Sequence, residues 1–227
     1  MEKELYQAYV RVLAQELVPA MGCTEPIAVA YAAAVAAKEL AELPKKVKIV
    51  VSSNIIKNVK SVIVPNTGGL HGLEAAAAAG VVAGDPEKKL LVISQVTPQE
   101  QKRIAEYLQE AEFTVEESQT GALFDIQITV EAAGHKAMCH ITGEHTNIVR
   151  IEDDGKTVFQ REITAEGQEE SSDKATLTVE NIVAFADCVE LSDVRQVLDR
   201  QSSCNMAIAR EGLENDYGAR IGQVLLK

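Results

Sequence analysis

Gly22-Cys23-Thr24-Glu25-Pro26 opens onto eleven consecutive apolar residues, Ile27 to Ala37. Thr24 reads as a helix N-cap, and a proline suits the first helical turn because its missing N–H would have had no partner there. The helix of about 26–40 that follows is apolar on every side and rich in alanine. Such a helix belongs in the middle of a fold, close to its neighbours. Cys23 then stands just outside a helix N-terminus, beside unpaired N–H groups and the positive end of the dipole. That setting favours the thiolate, the form that binds metals and attacks electrophiles. The other reading is a structural cysteine, although packing alone would more naturally put the thiol inside the apolar run.

Outward from this stretch, the chain alternates between helical and strand signals. Leu5, Tyr9, Val12, Leu13 and Leu17 recur at helical spacing over residues 3–18 and stop near Pro19. Val47, Ile49 and Val51 alternate with lysines as a strand over 46–52, and Val59 to Val64 reads as a second strand. Pro65-Asn66-Thr67-Gly68-Gly69 is a turn cluster that leads through His71-Gly72 into a small-residue helix ending near Ala83. Leu90 to Val96 reads as a buried strand. Thr97-Pro98-Gln99-Glu100 matches a capping box, and Ile104, Tyr107, Leu108 and Ala111 share a face of the helix it starts. Phe113 to Glu117 completes a strand–helix–strand unit.

Residues 123–163 then switch to period-2 alternation. Phe124, Ile126, Ile128 and Val130 form one apolar row, with turns signalled at Gly134, Gly143 and Asp153-Asp154-Gly155. This predicts a four-stranded antiparallel meander. Thr164 to Lys174 reads as a mobile loop, and helices are predicted at about 179–189, 193–214 and 217–226. The predicted class is α+β, with terminal helices flanking the strand–helix–strand region and the meander. The corresponding subregions are 1–120 mixed α/β, 121–165 β-meander and 175–227 helical.

Composition narrows the function classes. The 227 residues suffice for a sizeable core, and 46% hydrophobic with 25% charged residues is ordinary for a globular protein. The net charge of −12 argues against unassisted binding to nucleic acid or to anionic membranes. No apolar run is long enough to span a bilayer, and the first residues show no secretory signal. Cysteines at 23, 139, 188 and 204 have no paired spacing, so neither a disulfide framework nor a CxxC zinc site is expected. The expectation is a cytoplasmic protein with reduced thiols. The chain stops at Leu225-Leu226-Lys227 inside a helical pattern, which reads as a fragment.

Several residues are candidates for chemistry. Asn54, Lys57 and Asn58 follow the first strand, where they suit a carboxylate or cap a turn. The loop holding Asn66, Thr67 and Gly68 precedes a helix; it is an anion cradle or a plain turn. His135, His140 and His145 recur every five residues, so on strands they alternate faces and do not converge on a metal. His145 and Asn147 sit at a predicted strand start, within reach of a pocket or satisfying a hairpin. Cys139, Cys188 and Cys204 read as small buried hydrophobes.

In order along the chain, Gly22-Cys23-Thr24-Glu25-Pro26-Ile27, Ser53-Asn54 with Lys57-Asn58, Val64-Pro65-Asn66-Thr67-Gly68 and His145-Thr146-Asn147-Ile148-Val149 resemble the N-terminal half of the L-cysteine desulfidase family. Glu211-Gly212-Leu213 and Ile221-Gly222 fall where that family has similar residues. The family is related to the alpha chain of iron–sulfur-dependent L-serine dehydratase. The resemblance implies a lyase that converts L-cysteine to pyruvate, ammonia and sulfide, or deaminates L-serine. It implies an oxygen-sensitive 4Fe–4S cluster held by three cysteines, with one iron open to substrate as a Lewis acid. By the same resemblance Cys23 is a cluster ligand, and Asn54, Lys57, Asn58, Asn66, Thr67, Gly68, His145 and Asn147 are pocket contacts.

Members of that family carry a second half with a glycine–asparagine-rich substrate loop and the remaining cluster cysteines, and neither is present here. The expectation is therefore a chain inactive alone, with the cluster incomplete or absent, completed by the missing C-terminal half or a partner subunit. The expected partners are a small amino-acid substrate and a further copy of the chain in a homo-oligomer, with no nucleic acid and no membrane. Two alternatives stand beside it: a non-catalytic module binding a small molecule or partner, and an enzyme using Cys23 as nucleophile without a cluster.

Overall fold

A computed structural model describes residues 1–161 and 173–226. It contains one six-stranded mixed sheet in unit 20–161, with the strands β1 (Lys46–Val51), β2 (Glu112–Glu117), β3 (Asp125–Ala132), β4 (His135–Thr142), β5 (Ile148–Asp153) and β6 (Lys156–Gln160). Their order is β2-β1-β3-β4-β5-β6. β1 and β2 run parallel, and every other neighbour is antiparallel. The predicted meander is β3 to β6, and it continues directly into β1.

Register brings the apolar rows together. Val47, Ile49 and Val51 face Val130, Ile128 and Ile126, which in turn face Ala137, Cys139 and Ile141. All nine are buried. A one-residue slip would move every one of them to the other face, so burial itself specifies the pairing. The opposite face carries Lys48, Gln127, Thr129 and His140, with Lys48 paired to Glu116 at 2.8 Å.

Helix α1 is Lys3–Glu16, and α2 (Thr24–Lys38) is buried without interruption from Pro26 to Ala36. α2 lies on β3 and β4 and is flanked by α3 (Ser53–Val59), α4 (Leu73–Ala83) and a short 3-10 segment, Pro86–Leu91. Neighbours on all sides explain the absence of a polar stripe. Each fully buried Ile or Val side chain contributes about 1.5–3 kcal/mol through removal from water. Alanine and glycine let α4 come close to α2. A Cβ at Gly80 would lie 2.0 Å from the carbonyl oxygen of Ala30, and one at Gly84 would lie 2.6 Å from the Ala34 methyl. Numbers rise together along both helices, so α2 and α4 run parallel and begin at the same end.

α5 (Pro98–Glu110) starts with the predicted capping box. Thr97 accepts from the Glu100 N–H, and Glu100 reaches back to the Thr97 N–H at 2.8 Å. Its buried Ile104 and Tyr107 close the core beside β2, and the Tyr107 hydroxyl donates to the Pro44 carbonyl at 2.8 Å.

Two predicted strands are not strands. Residues 53–59 form α3, because Ile55 and Val59, one helical turn apart, both bury; Ile63 makes only an isolated bridge to His71. Leu90 to Val96 is a 3-10 segment followed by turns, with Asp85 capping the Glu87 N–H at 3.1 Å. Its apolar run anchors the connection through Leu90, Val92 and Ile93, and a short apolar run does not by itself distinguish a strand from a buried turn. The parallel partner of β2 is β1. The predicted loop 164–174 falls mostly outside the described residues.

The other unit joins α1 to α6 (Val179–Cys188), α7 (Leu191–Glu214) and α8 (Ile221–Leu225). Tyr9, Phe185 and Val194 form its small core, with the Tyr9 and Phe185 rings 5.2 Å apart. Arg11 forks onto Asp173 through two 2.8 Å bonds, and Tyr6 donates to Asp193 at 2.8 Å. Among the described residues no helix is long and apolar enough to cross a membrane.

Candidate functional site

The strand directions gather several loops at one end of the sheet. β1 ends there at Val51, β3 begins at Asp125, β4 ends at Thr142 and β5 begins at Ile148. α3 leaves β1 at this end, and its last turn brings Asn58 to the start of α2. The Asn58 amide donates to Glu25 Oε1 at 3.2 Å. Cys23 Sγ donates to Glu25 Oε2 at 3.1 Å, and the Thr24 hydroxyl reaches the same oxygen at 3.4 Å. From the β4–β5 connection, half-buried His145 packs its ring against Phe124 with centroids 4.5 Å apart. The charges of His145 and Glu25 act on one another.

These contacts set the protonation states. Burial pushes the Glu25 carboxyl up, but hydrogen bonds from Cys23, its own backbone N–H and Asn58, with the charge of His145, outweigh it and hold the carboxyl below its usual range. Burial and the Glu25 hydrogen bond both push the Cys23 thiol up. This runs against the expected thiolate: burial first, then the hydrogen bond to Glu25 in the first turn of α2, favours the S–H form. Cys23 is itself the N-cap, with extended backbone, and Thr24 is the first helical residue rather than the cap. Burial pushes the His145 imidazole down, against the opposing pull of Glu25 and Glu144, so it is neutral near pH 7.

The remaining sequence candidates separate into different roles. Asn54 and Lys57 lie exposed on α3. Asn66, in the left-handed region at φ 58°, donates to the Ile93 carbonyl at 3.1 Å, which ties its loop to the segment before α5. Buried Thr67 donates to the Val64 carbonyl at 2.7 Å, and Gly68 takes φ 73°. These bonds shape the turn that launches α4 beside α2. Asn147 donates to the Thr142 carbonyl at 2.9 Å and accepts from Arg161 at 2.7 Å, so it holds the loop that carries His145.

The three histidines do not converge. His135 pairs with Asp154 and His140 with Asp125, each at 2.7 Å, while His145 faces Phe124. Cys139 is buried, and burial pushes its thiol up to about 12. Cys188 and Cys204, read from the sequence as core residues, are exposed on α6 and α7. Among the described residues no three Cys, His, Asp or Glu side chains gather to hold a metal ion. Glu25 and Phe124 are the site residues that sequence reasoning missed. Glu25 was visible only as an acid in a first helical turn, and Phe124 only as one of an alternating apolar row.

A thiol, a carboxylate, an amide and a neutral imidazole at the shared start of two parallel helices define a mixed α+β protein with a polar site at its sheet end. The chain is 48% identical over 222 residues to a UPF0597 protein of Desulfitobacterium hafniense, a match covering 98% of this chain and 52% of that protein. It is 38% identical over 228 residues to a UPF0597 protein of Treponema denticola, covering 53% of it, and 40% identical over 222 residues to one of Lachnoclostridium phytofermentans, also covering 53%. The chain is a homologue of UPF0597 proteins and spans about half the length of the curated relatives it matches. No family model and no solved structure matches it.

Proposed function

We propose that this chain supplies one half of a lyase that converts L-cysteine to pyruvate, ammonia and sulfide, with L-serine as the alternative substrate. The observation that carries the proposal is the Cys23–Glu25–Asn58 cluster with His145 nearby at the shared N-termini of α2 and α4. Helix N-termini attract a carboxylate through free N–H groups and their dipoles, and here two begin side by side. Neutral His145 can take the α-proton on a ring nitrogen. The electron pair then forms the Cα–Cβ double bond, the Cβ–S bond breaks and hydrosulfide leaves. The aminoacrylate hydrolyses in water to pyruvate and ammonia.

The residues described do not fit a complete iron–sulfur cluster, since Cys23 is the one cysteine at this site and no three potential ligands gather. In this reading the further thiolates would come from the half that the longer relatives possess, and Cys23, hydrogen-bonded to Glu25, would be the ligand from this chain. A non-catalytic module that binds a small amino acid is the second reading. It uses the same Cys23–Glu25–Asn58 cluster for binding and needs no further thiolates. The two readings part on anaerobic turnover after iron–sulfide reconstitution. This chain joined to the half of the Desulfitobacterium protein it lacks is expected to form pyruvate from L-cysteine, and the chain alone is not. A joined protein that binds L-cysteine without forming pyruvate supports the module instead.

A further inference from the structure

The second half of α7 is a helix without a neighbour broad enough to hold it. Among the described residues its first turns pack through Val194 and Leu198, Arg200 donates to the Leu17 carbonyl at 3.2 Å, and every residue from 199 to 222 is exposed. α8 folds back only as far as Leu213, whose side chain would lie 3.1 Å from a Cβ at Gly222. Yet this surface is rich in large aliphatic groups. Met206 is 52% exposed, Ile208 69%, Ile221 67% and Leu225 80%. Helices in proteins owe most of their stability to a packed apolar face rather than to propensity. Met206 and Ile208, two residues apart, lie on different sides of α7, so apolar groups are exposed around this helix rather than along one stripe, as on a helix meant to be covered.

We propose that the apolar surface of α7 and α8 docks the half of the full-length protein that this chain lacks. The chain accounts for 52–53% of three relatives from different organisms, so each holds about as much chain again. That polypeptide is the occupant the comparisons supply. The inference deepens the two-half reading above, but it rests on the length of the relatives and the uncovered helices. Its readout is physical contact, so failure of the lyase chemistry leaves it standing, and failure of docking leaves the Cys23 chemistry to be judged separately.

The experiment uses hydrogen exchange and site-directed cross-linking. Exchange is followed in this chain at two concentrations and in the full-length Desulfitobacterium protein. In this chain residues 199–222 are expected to exchange rapidly at both concentrations. The aligned segment of the full-length protein is expected to exchange more slowly by about tenfold or more. A photoreactive residue placed at the position aligned with Met206 is expected to cross-link to peptides of the half that this chain does not match. Equal exchange in both proteins would overturn the proposal. So would cross-links to the segment aligned with residues 20–161, or concentration-dependent protection of this chain from self-association.

Discussion

The Cys23 thiol donates to Glu25 Oε2 across 3.1 Å, which makes the thiol and the carboxylate one protonation unit. Burial and then this hydrogen bond push the thiol pKa up, against the pull of the helix N-terminus. Glu25→Gln removes the charge but keeps a hydrogen-bonding side chain. It is expected to lower the thiol pKa and raise the rate of iodoacetamide alkylation at neutral pH severalfold. The check is the pH–rate profile for labelling of Cys23, read by mass spectrometry. An unchanged profile would show that Glu25 does not control the thiol.

The same labelling experiment ranks the cysteines. Cys23, Cys188 and Cys204 are all exposed, and the hydrogen bond to Glu25 is expected to make Cys23 the slowest of the three to react, with buried Cys139 labelled only on unfolding. This reverses the order that the sequence implies. Labelling of Cys23 first in the unsubstituted protein would contradict the raised thiol pKa.

The close approach of α2 and α4 is tested by adding one methyl group. Gly80→Ala places a Cβ against the Ala30 carbonyl, a backbone atom that no rotamer change can move. The expected loss is about 2–3 kcal/mol in urea unfolding, in the range of overpacked cores. Gly212→Ala on α7 meets no atom within 4 Å. It is expected to be neutral or to stabilise by about 0.5 kcal/mol through helix propensity.

On the sheet face opposite the α2 core, buried Asp125 binds His140 at 2.7 Å and Ser118 at 2.5 Å. Burial pushes its carboxyl up, but these hydrogen bonds and the His140 charge outweigh it, and the folded-state pKa is depressed. Its contribution to stability is therefore full above the unfolded carboxyl value of about 3.9 and is lost as pH falls through the lower folded value. Asp125→Ala is expected to cost about 2 kcal/mol at pH 7, because it leaves a partly buried imidazole without its partner. The difference between the two proteins should shrink on acidification. Urea titrations from pH 7 to about pH 3 measure this; a difference that grows in acid would contradict the linkage.

Much of this fold is legible in the sequence where one local pattern has one physical solution. The run after Pro26 buries as far as Ala36, Thr97-Pro98-Gln99-Glu100 caps a helix, and the alternation from Phe124 onward becomes the meander. Val59–Val64 and Leu90–Val96 mislead because short apolar runs bury equally well as a helix end or a turn. Cys204 misleads for the opposite reason: its helical face is apolar, but it is exposed among the described residues. The site is half legible. Cys23 and His145 stand in recognisable stretches, whereas the role of Glu25 depends on Asn58 and His145, which reach it only through the paths of α3 and the β4–β5 connection.

Cys23 at the start of α2 is proposed to belong to the reacting centre of an amino-acid lyase. The most direct measurement is anaerobic pyruvate formation from L-cysteine by this chain joined to the missing half of the Desulfitobacterium protein, compared with the same protein carrying Cys23→Ala. The account predicts turnover and thiolate-to-iron absorbance in the first, and loss of both in the second. Undiminished pyruvate formation by the Cys23→Ala protein would contradict it.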